Sequence, residues 1–246
     1  MFEVHYNSTT SLLLLFKQEI SNEINAEVLA MQERIQKAIK ENEIYGIEEI
    51  VSAYASLLIY FDPCKLSLER LSIFLEHIKH EKIFLNTQPS LCLELPLCYD
   101  EEFGLDLQSV CMHTKCSKEE LISLHTKPFY RVFMLGFMAG FAYLGGLDKR
   151  LFTPRLSSPR LKIEAGSVGI ADKQTGIYPI SSPGGWQIIA RSPLKFFDKE
   201  NETDPTLLKA GMFLKFKAID RAEFDDIKQR LERNAYERVV YEYKDS

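Results

Sequence analysis

Nine of the twelve glycines in this 246-residue chain fall between Gly136 and Gly185. Glycine costs about 1 kcal/mol at each helix-interior position and tolerates the backbone angles of tight turns. That stretch therefore reads as short strands joined by turns and not as helix. Three runs within it are chemically unusual. Residues 136–147, GFMAGFAYLGGL, are a strand running into a glycine-rich bend with aromatic rings between the glycines. Residues 153–160, TPRLSSPR, hold two Pro-Arg pairs five residues apart. Residues 174–187, QTGIYPISSPGGWQ, bring two amides, a phenol and an indole into one turn-rich region.

The remainder reads as α+β. Residues 12–16 suit a buried strand, and Ser21 can cap a helix with Ile24, Val28, Met31, Ile35 and Ile39 on one face. Strands at 47–51 and 57–61 follow, stopped by Asp62 and Pro63. Ser67 then opens a helix whose apolar stripe is Leu68, Leu71, Phe74, Leu75 and Ile78. His77 and His80 flank its end, where a cation is favoured, and read as helix-end solvation. The polar, proline-containing residues 86–90 mark a boundary, giving an α+β domain over 1–88 and a second domain over 89–246. Leu91, Leu93, Leu95 and Leu97 alternate as a strand. A helical hairpin comes next, with one helix over 106–113 and a capping box at Ser117 and Glu120 opening another that ends near His125. After a last strand at 214–217, Asp220 and Glu223 open a C-terminal helix that buries Phe224, Ile227 and Leu231. Residues 239–243 suit an edge strand.

Composition excludes several classes. The formal charge of −5 argues against a nucleic-acid binder, which needs a net basic face. The longest uncharged apolar stretch, residues 132–147, is shorter than the ~18 residues of a membrane span and is broken by four glycines, and the N-terminus lacks the basic start and apolar stretch of a signal peptide. None of the five cysteines sits in a CxxC pair, so the expectation is a cytoplasmic protein with reduced thiols and no metal site.

Within this acidic chain, residues 149–162 carry Lys149, Arg150, Arg155, Arg160 and Lys162 and no acidic residue. Such an island suits a carboxylate or phosphate, with Arg155 and Arg160 as its strongest members. The alternative is that these arginines pair with carboxylates of the N-terminal domain or face water. His125 suits general acid–base work, or donates to a last carbonyl of its helix. Phe137, Phe141, Tyr143, Tyr178 and Trp186 suit a pocket wall or a barrel core. Gln174 and Gln187 can bind a substrate amide through donor and acceptor together, or satisfy loop backbone. No GxxxxGK[ST] loop and no GxSxG elbow is present.

Taken together, the three runs resemble the family of 5-oxoprolinase B subunits, also called allophanate hydrolase subunit 1, whose pattern reads GFxPGFxYLGGL, TPRxxxPR and GxQTGIYPxxSPGGWQ. The resemblance extends more weakly over nearly the whole chain. It departs at Ala139, where the family has proline, at Ile163 and Glu164, where it has Val-Pro, and at Met212, where it has aspartate. Membership implies a small α+β N-terminal domain followed by a cyclophilin-like β-barrel with a C-terminal helix. It also implies ATP-dependent opening of 5-oxo-L-proline to L-glutamate, shared with A-like and C-like partner subunits of the 5-oxoprolinase, with ATP consumed by the complex. His125, Arg155 and Arg160 are then the candidate catalytic groups. Phe141, Tyr143, Gln174, Tyr178, Trp186 and Gln187 are the candidate substrate contacts. The family also takes in inhibitors of a sporulation histidine kinase, so a non-catalytic binding module is the alternative, as is one part of a hydrolase for allophanate or other urea-derived carboxamides.

Overall fold

The computed structural model describes residues 2–79, 81 and 90–244. His80 and residues 86–89, on which two of the expectations fall, lie outside the described residues. The chain divides into two compact units, Met1–Gln88 and Pro89–Ser246, each with its own apolar core.

The first unit contains β1 (Glu3–Ser8), β2 (Ser11–Leu15), α1 (Asn22–Lys40), β3 (Ile47–Ser52), β4 (Ser56–Phe61) and α2 (Leu68–Lys79). Its strands form an antiparallel sheet in the order β1-β2-β4-β3. Alternation on β2 and β4 sends Leu12, Leu14, Leu57, Ile59 and Phe61 into a core with Val28, Met31 and Ile35 of α1 and Leu71, Leu75 and Ile78 of α2. The Ser21 hydroxyl accepts from Ile24 N–H at 3.4 Å, the cap expected for α1. Strand β1 is unheralded in the sequence because nearly all its residues are exposed, which erases the apolar alternation that announces a strand.

The second unit is built from β5 (Ser90–Cys98), α3 (Leu107–Thr114), α4 (Lys118–Thr126), β6 (Phe129–Leu135), β7 (Ala142–Gly145), β8 (Arg160–Ile163), β9 (Ser167–Ala171), β10 (Gln174–Ile177), β11 (Ser182–Gly184), β12 (Gln187–Arg191), β13 (Phe213–Ile219), α5 (Arg221–Glu232) and β14 (Val240–Tyr243). Seven strands run β12-β9-β10-β7-β6-β13-β5, and Arg191 on β12 pairs with Cys98 on β5 to close them into a barrel. The barrel expected from the family resemblance is thus present. Strands β5 and β13 pair in parallel from Cys92 and Phe213 to Cys98 and Ile219; the other pairings are antiparallel. The second edge of β5 takes β14 along Ser90–Leu93 and meets β12 only at Cys98. Glu94 N–H donates to Val239 C=O on that edge at 2.9 Å. Period-two geometry then aims the Pro96 nitrogen at the gap between the two partners, where its missing N–H leaves no ladder bond unmade.

The space enclosed by the strands is filled mainly by aliphatic side chains, but its centre is polar. His125, from the end of α4, is fully buried. Its ring stacks on Phe216 of β13 with centroids 4.8 Å apart. Thr175 Oγ1 donates to Gly169 C=O at 2.9 Å and lies 3.1 Å from His125 Nε2. With its own proton committed, Thr175 must accept from Nε2–H. Nδ1 then accepts from the Tyr99 hydroxyl at 2.6 Å, while the Tyr130 hydroxyl donates to the His125 carbonyl at 2.8 Å. Each donor has an acceptor when the imidazole is neutral, and an extra proton on Nδ1 would meet the Tyr99 hydroxyl head on.

Burial depresses His125 to about 3. Above the ordinary value near 6.5, folded and unfolded rings are both neutral and this contribution to stability is fully present. Below it the unfolded chain binds a proton that the folded chain refuses. Stability is therefore lost as pH falls, by about 2 kcal/mol between pH 7 and pH 5. Carboxylates that the fold holds below their usual range titrate mainly beneath that window. Melting temperature measured across it should fall in the wild type and flatten in His125→Gln; a flat wild-type profile would contradict the neutral plug.

Candidate functional site

The wall strand β10 faces two ways. Thr175 points inward to His125, and the neighbouring Gly176 points outward, where a Cβ would fall 2.8 Å from the Trp186 indole. Only a hydrogen leaves room for the ring to lie on the sheet. Around that indole a second, smaller core gathers on the outer face of the barrel: Phe141, Ile163, Ala171, Tyr178, Trp186 and Ile188, with Met138 and half-buried Tyr143 against it. Phe141 is its hub, with ring centroids 4.9 Å from Tyr143, 5.0 Å from Tyr178 and 5.4 Å from Trp186. Phe137 stands edge-on to Phe141 at 5.7 Å, exposed and with a φ of 66°. A left-handed backbone at a bulky residue is strained, and the turn keeps it there with its ring in solvent.

Residues 153–160 cross this core as a fastened loop. Thr153 exchanges two backbone bonds with Asp172 at 3.2 and 2.7 Å, Leu156 N–H donates to Gly185 C=O at 2.8 Å, and Gln187 Nε2 donates to Pro154 C=O at 3.1 Å. The far end is held by charge. Arg160 lays its fork on Asp106 at 2.8 and 2.6 Å, and the same carboxylate accepts Ile188 N–H at 2.7 Å. Asp106 precedes α3 but does not cap it with its side chain, because its oxygens are already engaged. With both ends and the middle pinned, Arg155 is presented from a stiff backbone. Its guanidinium carbon lies 5.8 Å from the Trp186 ring centroid, within reach of a cation–π contact.

The basic island is largely neutralised by residues outside it. Arg150 pairs with Asp148, Arg160 with Asp106 and Lys162 with Glu164. Among the described residues Arg155 has no carboxylate partner. The partner of Arg160 lies in its own unit, not in the N-terminal domain. Burial raises the Tyr143 and Tyr178 phenols, Tyr178 to about 12, while Arg155 pulls both the other way. Both keep their protons at neutral pH and are donors, not bases. Gln187 Oε1 is buried without a partner, which leaves an acceptor for a donor that the described residues do not supply.

Of the residues singled out in the sequence, Phe141, Tyr143, Tyr178, Trp186, Gln187 and Arg155 come together here. Gln174 is half-buried at the start of β10 and pairs through its backbone with Ala171, but among the described residues its side chain makes no hydrogen bond or ring contact with the cluster. Arg160 is committed to Asp106, and His125 lies on the inner side of the β10 wall. Asp106 and Gly176 were not singled out; an aspartate before a helix announces only a cap, and a glycine in a strand only a close approach. Among the described residues no three His, Cys, Asp or Glu side chains are grouped to hold a metal. The arrangement leaves Arg155 exposed beside the aromatic core, and its fork can bind an anion.

The Arg160 tie makes a prediction about stability. Arg160→Lys replaces two short charge-assisted bonds with a point charge and leaves the buried Asp106 under-bonded. Thermal and denaturant unfolding should show a loss of about 2 kcal/mol, the scale of a hydrogen bond to a charged group. An unchanged midpoint would show that the loop does not depend on this pair.

Residues 2–208 match the family described as carboxyltransferase domain, subdomain C and D. A Bacillus subtilis protein named as the B subunit of 5-oxoprolinase is 37% identical over 241 residues, covering 93% of this chain and 97% of that protein. The solved structure of the protein TTHA0988 aligns with a TM-score of 0.73 at 35% identity over 85% of this chain. This chain spans 40% of that longer protein. Kluyveromyces lactis urea carboxylase aligns with a TM-score of 0.77 across 98% of this chain and 24% of its own, at 19% identity, a likeness of fold alone. No helix among the described residues is long and apolar enough to cross a membrane. The chain belongs to the carboxyltransferase subdomain C and D family, in the group of the 5-oxoprolinase B subunits.

Proposed function

We propose that this chain is the B-type subunit of an ATP-dependent 5-oxoprolinase, working in the cytoplasm with A-like and C-like partner subunits to open 5-oxo-L-proline to L-glutamate. The observation that carries the reading is the near full-length likeness to the B. subtilis protein, joined to the free arginine of the aromatic cluster. A five-membered lactam is a stable amide. Phosphorylation of its oxygen by ATP lets water add to the ring carbon; the adduct expels the ring nitrogen as an amine, and a second water hydrolyses the acyl phosphate to glutamate and phosphate. The charge that develops needs a cation beside it. We assign no residue of this chain to ATP.

Arg155 is the group we place against the ligand, holding a carboxylate or phosphate with its fork while Trp186 backs the guanidinium. Tyr143 offers a protonated hydroxyl. Phe141 and Tyr178 hold the wall. Arg160 and His125, the other two candidate catalytic groups, act on the fold: one fixes the loop, the other fills the barrel. Ring opening then depends on groups supplied by the partner subunits.

The test is reconstitution with the cognate A-like and C-like partners, following glutamate release from 5-oxoproline and ATP. The chain alone should be inactive and the mixture active. Arg155→Lys should lower activity about ten- to a hundredfold, roughly 1.5–3 kcal/mol, with its melting temperature unchanged, because an exposed arginine adds only about 0–1 kcal/mol to stability. Turnover by the chain alone would refute the shared active site. Full activity in Arg155→Lys would move the anion site elsewhere.

A further inference from the structure

Helix α3 ends at Lys115, whose φ is 58°, and beyond it Cys116 N–H donates to Cys111 C=O at 3.2 Å. A backbone bond spanning six residues around a left-handed residue is a Schellman turn, and its geometry brings the side chains at its first and last positions together. Both of those positions are cysteines. Their proximity also shows electrostatically: burial pushes the Cys111 thiol up, and Cys116 pushes it further.

Both thiols line one open cavity of about 360 Å³, together with Gly104, Leu107, Gln108 and Lys118. The other cysteines differ. Cys92 and Cys98 are buried in β5, and Cys64 is exposed in the other unit. All five are free thiols. Only Cys111 and Cys116 are adjacent to each other and open to a small solute. The proposed 5-oxoprolinase chemistry uses neither.

We propose that Cys111 and Cys116 form a peroxide-sensitive dithiol that closes reversibly to an intrachain disulfide at the end of α3. Burial holds the Cys111 thiol protonated, and Cys116 attacks first. Its thiolate sulfur bonds one peroxide oxygen, the O–O bond breaks, and the departing hydroxide leaves as water, giving a sulfenic acid. Cys111 sulfur then displaces the hydroxyl from Cys116 sulfur, and that hydroxide leaves with the Cys111 proton as a second water. Two thiols lose two electrons and two protons, and one peroxide becomes two waters. The new bond ties α3 to the residue just before Ser117, the N-cap of α4, and replaces two thiols in the cavity wall by a disulfide. A dithiol reductant reverses it.

The test uses the full chain carrying Cys64→Ser, which removes the exposed thiol of the other unit. After hydrogen peroxide and alkylation under denaturing conditions, intact mass should show two fewer alkylated thiols. Trypsin cuts after Lys115, so the digest should hold two peptides joined through Cys111 and Cys116 that separate on reduction. In Cys111→Ser the same treatment should leave Cys116 as sulfenic or sulfinic acid, with no cross-linked peptide. Two outcomes overturn the proposal: both thiols still alkylate fully after peroxide, or Cys116 becomes sulfinic acid in a chain whose Cys111 stays free.

Discussion

One buried carboxylate holds the architecture of the barrel unit in place. Asp106 stands before α3, accepts the Ile188 backbone of β12, and takes the Arg160 fork where β8 begins. Three segments distant in sequence meet on its two oxygens. A lone buried carboxylate costs several kcal/mol, and this one is tolerable because three short donors surround it. Remove that knot and the far end of the Pro-Arg loop keeps only the pairing of Arg160 with Gly184, while Thr153, Pro154 and Leu156 still hold its near half.

The consequence is a division of labour between two arginines in one short loop. Arg160 is committed to Asp106 and gives up its freedom to fix the backbone. Arg155 lies on a backbone already fixed, so little entropy remains to lose when its side chain takes hold of a ligand. The adjacent wall strand divides its work in the same way. Thr175 and Gly176 are consecutive, yet one bonds the histidine inside the barrel and the other clears space for the indole outside it. Barrel core and candidate site share a wall one residue thick.

Much of the fold was legible because its signals are local. Ser21, Ser117 and Asp220 accept the backbone N–H groups that helix-capping logic assigns them, and the glycine-rich stretch is strand and turn. Barrel closure was not legible from pattern. It depends on the single Arg191–Cys98 pairing between strands far apart in sequence, and only the family resemblance announced it. The site divided along the same line. Its aromatic and amide members were recognisable as residue types in a turn-rich region. Which arginine is free was not, because the acids that neutralise the island, Asp106, Asp148 and Glu164, lie outside it. The surroundings of His125 come from β10, β13 and the residue after β5, and its own helix says nothing of them.

Trp186 is the only tryptophan in the chain, and Arg155 lies over its ring, so its emission reports directly on the anion site. Titrating 5-oxoproline, and separately inorganic phosphate, while following that fluorescence isolates the central claim from assembly and turnover. At least one of the two should give a saturable change that disappears in Arg155→Ala and persists in Arg160→Lys below its melting temperature. Emission that responds to neither ligand, or a saturable response that survives in Arg155→Ala, would contradict the account.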